Sequence, residues 1–252
     1  EVIDHVLALL PFEPAYMQAA GMDCDFVGHP VVAEPQASAE EIAAFREAFD
    51  LGDQPVVLAL PGSRRSEVAR LGPVFGAALR QFVADHADHR VIVPAAGPVV
   101  AQVQQALTDW PEGTQLIDPG RYPPEQAKAH KRAAFATADL ALAASGTVSL
   151  ELAAATTPMV IAYRFQWLTW QIMKRMALID TVTLVNLVSG TRVVPECLGP
   201  GCRADAIAAA LEGVHDNPTL QQEAMAVTMQ RLGAGGDAPG VRAARAVLDR
   251  LG

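Results

Sequence analysis

The sequence predicts an α/β protein built on a doubly wound parallel sheet, and three observations lead there. Short, mostly apolar runs (Val56–Leu60, Arg90–Pro94, Gln115–Ile117, Leu140–Ala144 and Met159–Tyr163) recur between segments of helical periodicity. Hydrophobic residues make up 51% of the chain but aromatic ones only 6%, so the apolar mass is mainly Ala, Val and Leu. That composition suits parallel strands covered by helices on both faces. Residues 138–164, ADLALAASGTVSLELAAATTPMVIAYR, read as strand, tight turn, helix and strand, one complete crossover between parallel neighbours.

The elements follow in order. Val6–Leu10 has a buried-strand pattern, a short helix spans Ala15–Ala20, and Asp25–Val27 is a second short strand ended by Gly28-His29-Pro30. Two strands alone do not make a stable sheet. Residues 1–33 are therefore expected to be the last unit of a preceding domain, and Val31–Ala37, polar and proline-containing, a linker. Residues 34–237 form the main domain. Ser38 and Glu41 have capping-box spacing and start a helix that runs to Phe49. Helices are predicted over Arg65–His86, interrupted at Gly72-Pro73, over Pro98–Asp109 and over Glu125–Thr137. Val182–Leu187 ends in a loop closing with Val193-Val194-Pro195-Glu196, and helices cover Ala204–Val214 and Thr219–Leu232. After a glycine-rich connection, residues 238–252 carry a terminal helix.

Composition narrows the function classes. A net charge of −9 argues against a broad nucleic-acid surface. No apolar run reaches the roughly 18–20 residues that span a bilayer. Cys24, Cys197 and Cys202 are odd in number and lack metal-type spacing, which favours a reduced, cytosolic compartment. His86 and His89 are a close histidine pair, but no cysteine or carboxylate cluster supports them and no metal is expected.

Three stretches carry candidate chemistry. Ser145-Gly146-Thr147 sits between strand and helix, where glycine lets a ligand approach backbone and a helix N-terminus favours phosphate. Glu151, on that helix, is placed to accept hydrogen bonds from paired sugar hydroxyls; the plainer reading is a capped turn with a solvated glutamate. Gly62-Ser63-Arg64 follows the first strand of the main domain, and the planar Arg64 fork suits a diphosphate, unless it is simply a surface arginine. Asn186, read as following a strand end, offers donor and acceptors to a ligand, or merely closes an Asx-turn.

The motifs SGTVSLE at 145–151, LPGSR at 60–64 and VNLVSG with VVPE between 185 and 196 closely resemble the lipid-A-disaccharide synthase family, as do DHVLALLPFEPAY at 4–16 and FVGHP at 26–30. The resemblance runs collinearly along essentially the whole chain. It implies the C-terminal half of a GT-B glycosyltransferase, an architecture of two Rossmann-like domains facing across a cleft. It also implies an inverting reaction that joins UDP-2,3-diacylglucosamine to 2,3-diacylglucosamine 1-phosphate, giving the β-1,6-linked disaccharide phosphate and UDP. On this resemblance Arg64 and Asn186 match residues important for activity. Gly62, Ser63, Ser145, Gly146, Thr147 and Glu151 match the donor-nucleotide site. No cofactor is implied, since a guanidinium and a helix dipole can take up the leaving group's charge. An epimerase acting on UDP-N-acetylglucosamine shares the fold, but its pattern of catalytic acids and histidines is not found. A non-catalytic UDP-sugar-binding fragment is the other alternative.

Two departures bear on mechanism. The family's glycine-rich loop, with the acidic residue suited to activating the acceptor, has no counterpart here, so no general base is assigned. Cys197-Leu198-Gly199 stands where the family usually has two apolar residues and a glutamine. Finally, Phe165–Met176 combines Trp167, Trp170, Ile172, Met173 and Met176 with Lys174 and Arg175. It suits a helix lying on a membrane surface, as acylated substrates and a peripheral enzyme at the inner membrane would require, or one buried against the domain or a second subunit of a homo-oligomer.

Overall fold

The computed structural model describes residues 3–164 and 180–251, and Phe165–Met176 lies outside the described residues. The main sheet has six parallel strands, β3 (Val56–Leu60), β4 (Arg90–Pro94), β5 (Gln115–Ile117), β6 (Leu140–Ala144), β7 (Met159–Tyr163) and β8 (Glu196–Leu198). Their order is β5-β4-β3-β6-β7-β8. The chain therefore winds outward one way from β3 and the other way from β6, the doubly wound order whose reversal opens a crevice. Central strands β3 and β6 are buried along their whole length. That is why they read as unbroken apolar runs rather than as alternating ones.

Side chains of alternate strand positions divide the core in two. Leu58, Leu60, Ala141 and Ile161 pack with Phe45 of α2 (Ala39–Ala48), Phe135 of α5 (Pro124–Thr137), Leu150 of α6 (Val148–Ala154), Val185 of α7 (Leu184–Ser189) and Met225. Val57, Ala59, Leu142 and Val160 pack on the other face with Leu71, Phe75 and Leu79 of α3 (Arg65–Asp85), Val103 of α4 (Val100–Ala106), and Ile207 and Leu211 of α8 (Ala204–Asp216). α2 begins with the expected capping box: Glu41 N donates to Ser38 Oγ, and Ser38 N to Glu41 Oε2. The Glu41 carboxylate also pairs with Arg132 of α5, whose guanidinium holds it down to about 2.

A second, two-stranded sheet joins β1 (His5–Ala8) and β2 (Asp23–Phe26) in parallel through α1 (Glu13–Ala19). The chain then crosses to the main sheet through Gly28 and His29, whose backbone N–H donates to the Leu232 carbonyl. Where a linker was expected, Pro30–Ala33 forms a 3₁₀ turn begun by His29, its Nδ1 accepting from Val31 N. After α9 (Thr219–Arg231), the terminal helix α10 (Pro239–Leu251) returns to this small sheet. Arg242 donates to the Phe26 carbonyl at 2.8 Å and lies over the Phe26 ring, and Arg250 pairs with Asp25 at 3.1 Å.

Three expectations are corrected. α3 runs unbroken through Pro73. Proline removes one donor and crowds the preceding turn, but Leu71, Gly72, Val74 and Phe75 around it are all buried. The Gly72 carbonyl accepts from Trp110 Nε1, and the residues flanking Pro73 are held by packing. Glu196, read as the end of a loop, instead opens the edge strand β8 beside β7. Asn186 does not follow a strand; it lies inside α7, which ends at Gly190 in the left-handed conformation.

Two half-buried histidines set an acid limit on the fold. His29 and His130, the latter packed edge-on against Phe45, Phe49 and Tyr122, are both lowered from the ordinary value of 6.5, chiefly by burial. The native state therefore prefers both rings neutral. Their contribution is fully present above pH 6.5 and is lost as pH falls below it. Thermal melts should show a falling midpoint between pH 7 and about pH 5, and a flat profile would contradict the burial argument.

Candidate functional site

Leu60 and Ala144 end the two strands at which the winding reverses, and the loops leaving them diverge. Between these loops lies a cleft of about 640 Å³, where a doubly wound sheet binds its ligand. One wall is Gly62-Ser63-Arg64 and the other Ser145–Val148 with Glu151. The apolar remainder comes from Pro94–Ala96 at the end of β4, Ile117 and Pro119 at the end of β5, and Phe135 of α5.

The first loop is shaped by Glu67. Its Oε2 accepts from Ser63 N at 3.0 Å and Arg64 N at 3.2 Å, which pins the start of α3. Gly62 has φ +115°, and a Cβ on it would stand 2.5 Å from that of Glu67, so only glycine lets this loop lie against the carboxylate. Arg64 is left 79% exposed, with one long contact of 3.4 Å to Glu67, and its guanidinium can turn to an anion in the cleft.

The second loop passes straight from β6 into α6. Thr147 precedes the helix without capping it, and Ser149 Oγ donates back to the Gly146 carbonyl. A Cβ on Gly146 would meet no atom within 4 Å. Glu151 is not the freely solvated residue of the plainer reading: its Oε2 is ion-paired to Lys131 of α5. Lys131, Phe135, Thr147 and Glu151 also line an adjoining hollow of about 490 Å³ that reaches His29 and Glu34.

Seven of the eight predicted site residues thus converge. Asn186 does not. It is fully buried, with Oδ1 accepting from Val194 N at 3.0 Å and Nδ2 donating to the Val194 carbonyl at 2.9 Å and to Thr181 Oγ1 at 3.3 Å. Its amide is spent on closing the return from α7. Sequence reasoning missed Glu67, Lys128 and Lys131. Glu67 could have been found, because Arg64 and Glu67 have the spacing of a capping box. The lysines meet the cleft only through the packing of α5 beside α6.

Among the described residues, no group of three or more His, Cys, Asp or Glu side chains is arranged to hold a metal ion. His86 and His89 pack instead with His215 at 4.6 to 5.2 Å between ring centroids, and His86 Nε2 contacts Glu212. All three cysteines are free and buried. Burial pushes the Cys202 thiol up to about 11 and Cys197 in the same direction, which keeps both protonated and poorly nucleophilic.

Sheet order and crevice define a Rossmann-like α/β protein, a fold that GT-B glycosyltransferases share. Solved structures share that fold at low identity. UDP-GlcNAc 2-epimerase from Neisseria meningitidis, bound to UDP-GlcNAc, superposes with a TM-score of 0.63 at 14% identity, over 96% of this chain and 61% of that one. E. coli ADP-heptose LPS heptosyltransferase II gives 0.51 at 14% identity, over 75% and 54%. The family model for lipid-A-disaccharide synthetase matches residues 1–238. The chain belongs to the lipid-A-disaccharide synthase family. The relative from Ruegeria pomeroyi is 65% identical over 251 residues, which cover 100% of this chain and 63% of that protein. The family match favours the transferase reading over the epimerase one.

Proposed function

We propose that the protein carrying this chain transfers 2,3-diacylglucosamine from its UDP derivative to 2,3-diacylglucosamine 1-phosphate, releasing UDP, and that the cleft between β3 and β6 takes the donor nucleotide. The observation that carries the reading is the meeting of the Pro-Gly-Ser-Arg loop and the Ser-Gly-Thr turn across one cleft at the reversal of strand order. Arg64 faces the diphosphate as a guanidinium able to bind two oxygens. Backbone N–H groups of the Ser145–Thr147 turn serve the same phosphates, and Glu151 accepts from the ribose hydroxyls. The apolar wall of Ala95, Ala96, Ile117 and Phe135 receives the base. As UDP leaves, negative charge grows on the diphosphate, and a cation turned to it stabilises that state more than the ground state.

Residues 1–33 are, in this reading, the last unit of the partner domain that supplies the acceptor side and the general base. Asn186 stands apart from that cleft and serves the fold through its hold on Val194. Acylated substrates place the enzyme peripherally on the inner face of the inner membrane of a Gram-negative cell. Among the described residues no helix is long and apolar enough to cross a membrane.

Glu151→Gln tests the donor site. It keeps size and one acceptor but removes charge, and should weaken UDP binding by roughly 1.5–3 kcal/mol, the range for hydrogen bonds to charged groups. The loss should shrink for 2′-deoxy-UDP, which no longer offers one partner. If wild type and variant discriminate ribose from 2′-deoxyribose equally in calorimetric titrations, Glu151 does not touch that hydroxyl.

A further inference from the structure

Lys131 belongs to no motif of the sequence, yet it occupies the wall shared by the donor cleft and the adjoining hollow. Its Nζ stands 5.5 Å from the centroid of the Phe135 ring, one helical turn further along α5, and pairs across to Glu151 Oε2 on α6. Cation–π attraction from one side and a carboxylate from the other hold the ammonium in place. Among the described residues, Lys131 is the partner that Glu151's side chain has.

We infer that Lys131 is a positioning residue for the ribose site: it fixes the Glu151 carboxylate on the cleft wall through Oε2 and leaves Oε1 to receive the hydroxyls. This rests on the UDP reading given above and adds the group that orients its ribose acceptor. Burial decides between a stabilising and an orienting role. The two side chains are 54% and 39% exposed, and a pair so open to solvent contributes little to folding. Its effect is directional. A glutamate on a short helix has three free torsions, and a ligand binding to an unrestrained one must immobilise it first. A carboxylate has about four lone-pair sites, so one ammonium and two hydroxyls can be accepted together.

The test is calorimetric titration of the purified protein with UDP and with 2′,3′-dideoxy-UDP, for wild type, Lys131→Met, Lys131→Arg, Glu151→Gln and the Lys131→Met/Glu151→Gln double variant. Lys131→Met, close in length and uncharged, should weaken UDP about three- to tenfold, the scale of a single lost hydrogen bond's worth of ordering. It should leave dideoxy-UDP unchanged, cost nothing further in the Glu151→Gln background, and be partly rescued in Lys131→Arg. Melting midpoints should be the same for all variants. A loss that persists with dideoxy-UDP would place Lys131 on the diphosphate and overturn the inference, as would losses for Lys131→Met and Glu151→Gln that multiply, or a Lys131→Met protein that binds UDP like wild type. Wild type that fails to bind UDP at all would instead overturn the nucleotide reading itself, and this inference with it.

Discussion

Asn186→Ala is expected to lower unfolding free energy by about 2–4 kcal/mol, because it leaves two buried backbone groups without partners. The carboxamide grips both polar groups of Val194, and Thr181 Oγ1 is its third contact. Alanine fills part of the volume but offers neither donor nor acceptor, and the fully buried site gives water no route to replace them. Glu196 shows what the return supports: its Oε1 accepts from Thr181 Oγ1, Val182 N and Thr183 N, tying β8 to the entry of α7. Loosening Val194 slackens that tie as well. Chemical denaturation reads the effect directly. A variant as stable as wild type yet inactive would show that Asn186 serves the substrate rather than the fold.

Arg64→Ala should behave oppositely. A side chain 79% exposed, with one 3.4 Å contact, contributes almost nothing to folding, so denaturation curves should coincide with wild type. The barrier should rise by about 2–4 kcal/mol, the typical loss when one donor to developing charge is removed. That corresponds to a turnover roughly 30- to 1000-fold slower. Arg64→Lys should recover part of the rate, since it restores charge without the two-pronged geometry. Turnover of Arg64→Ala within twofold of wild type would reduce Arg64 to a surface residue.

Much of this architecture could be read before any coordinates. Strands β3 and β6 declare themselves because strands buried on both faces need every position apolar, and Ala, Val and Leu fill them without a break. Ser38 with Glu41 marked a helix start because capping is local chemistry. Failures came where distant packing overrides local preference. Pro73 should stop a helix, but buried neighbours on both sides of it keep α3 whole. β8 has three residues with a glutamate and a cysteine among them, too few to show a period. Asn186 had two local readings, and neither could show Val194, which only the fold brings against it. Lys131 was invisible for the same reason: its partner lies on a different helix.

The return of α10 to β2 gives the chain a closed mechanical circuit. Arg242 stands against Gly28 and Gly233 at the two places where backbone passes between the sheets, and both glycines have positive φ. A load applied to the small sheet therefore reaches the main one along two neighbouring tethers rather than one. Two crossings gathered around one guanidinium couple the small sheet to the main one more firmly than a single crossing would.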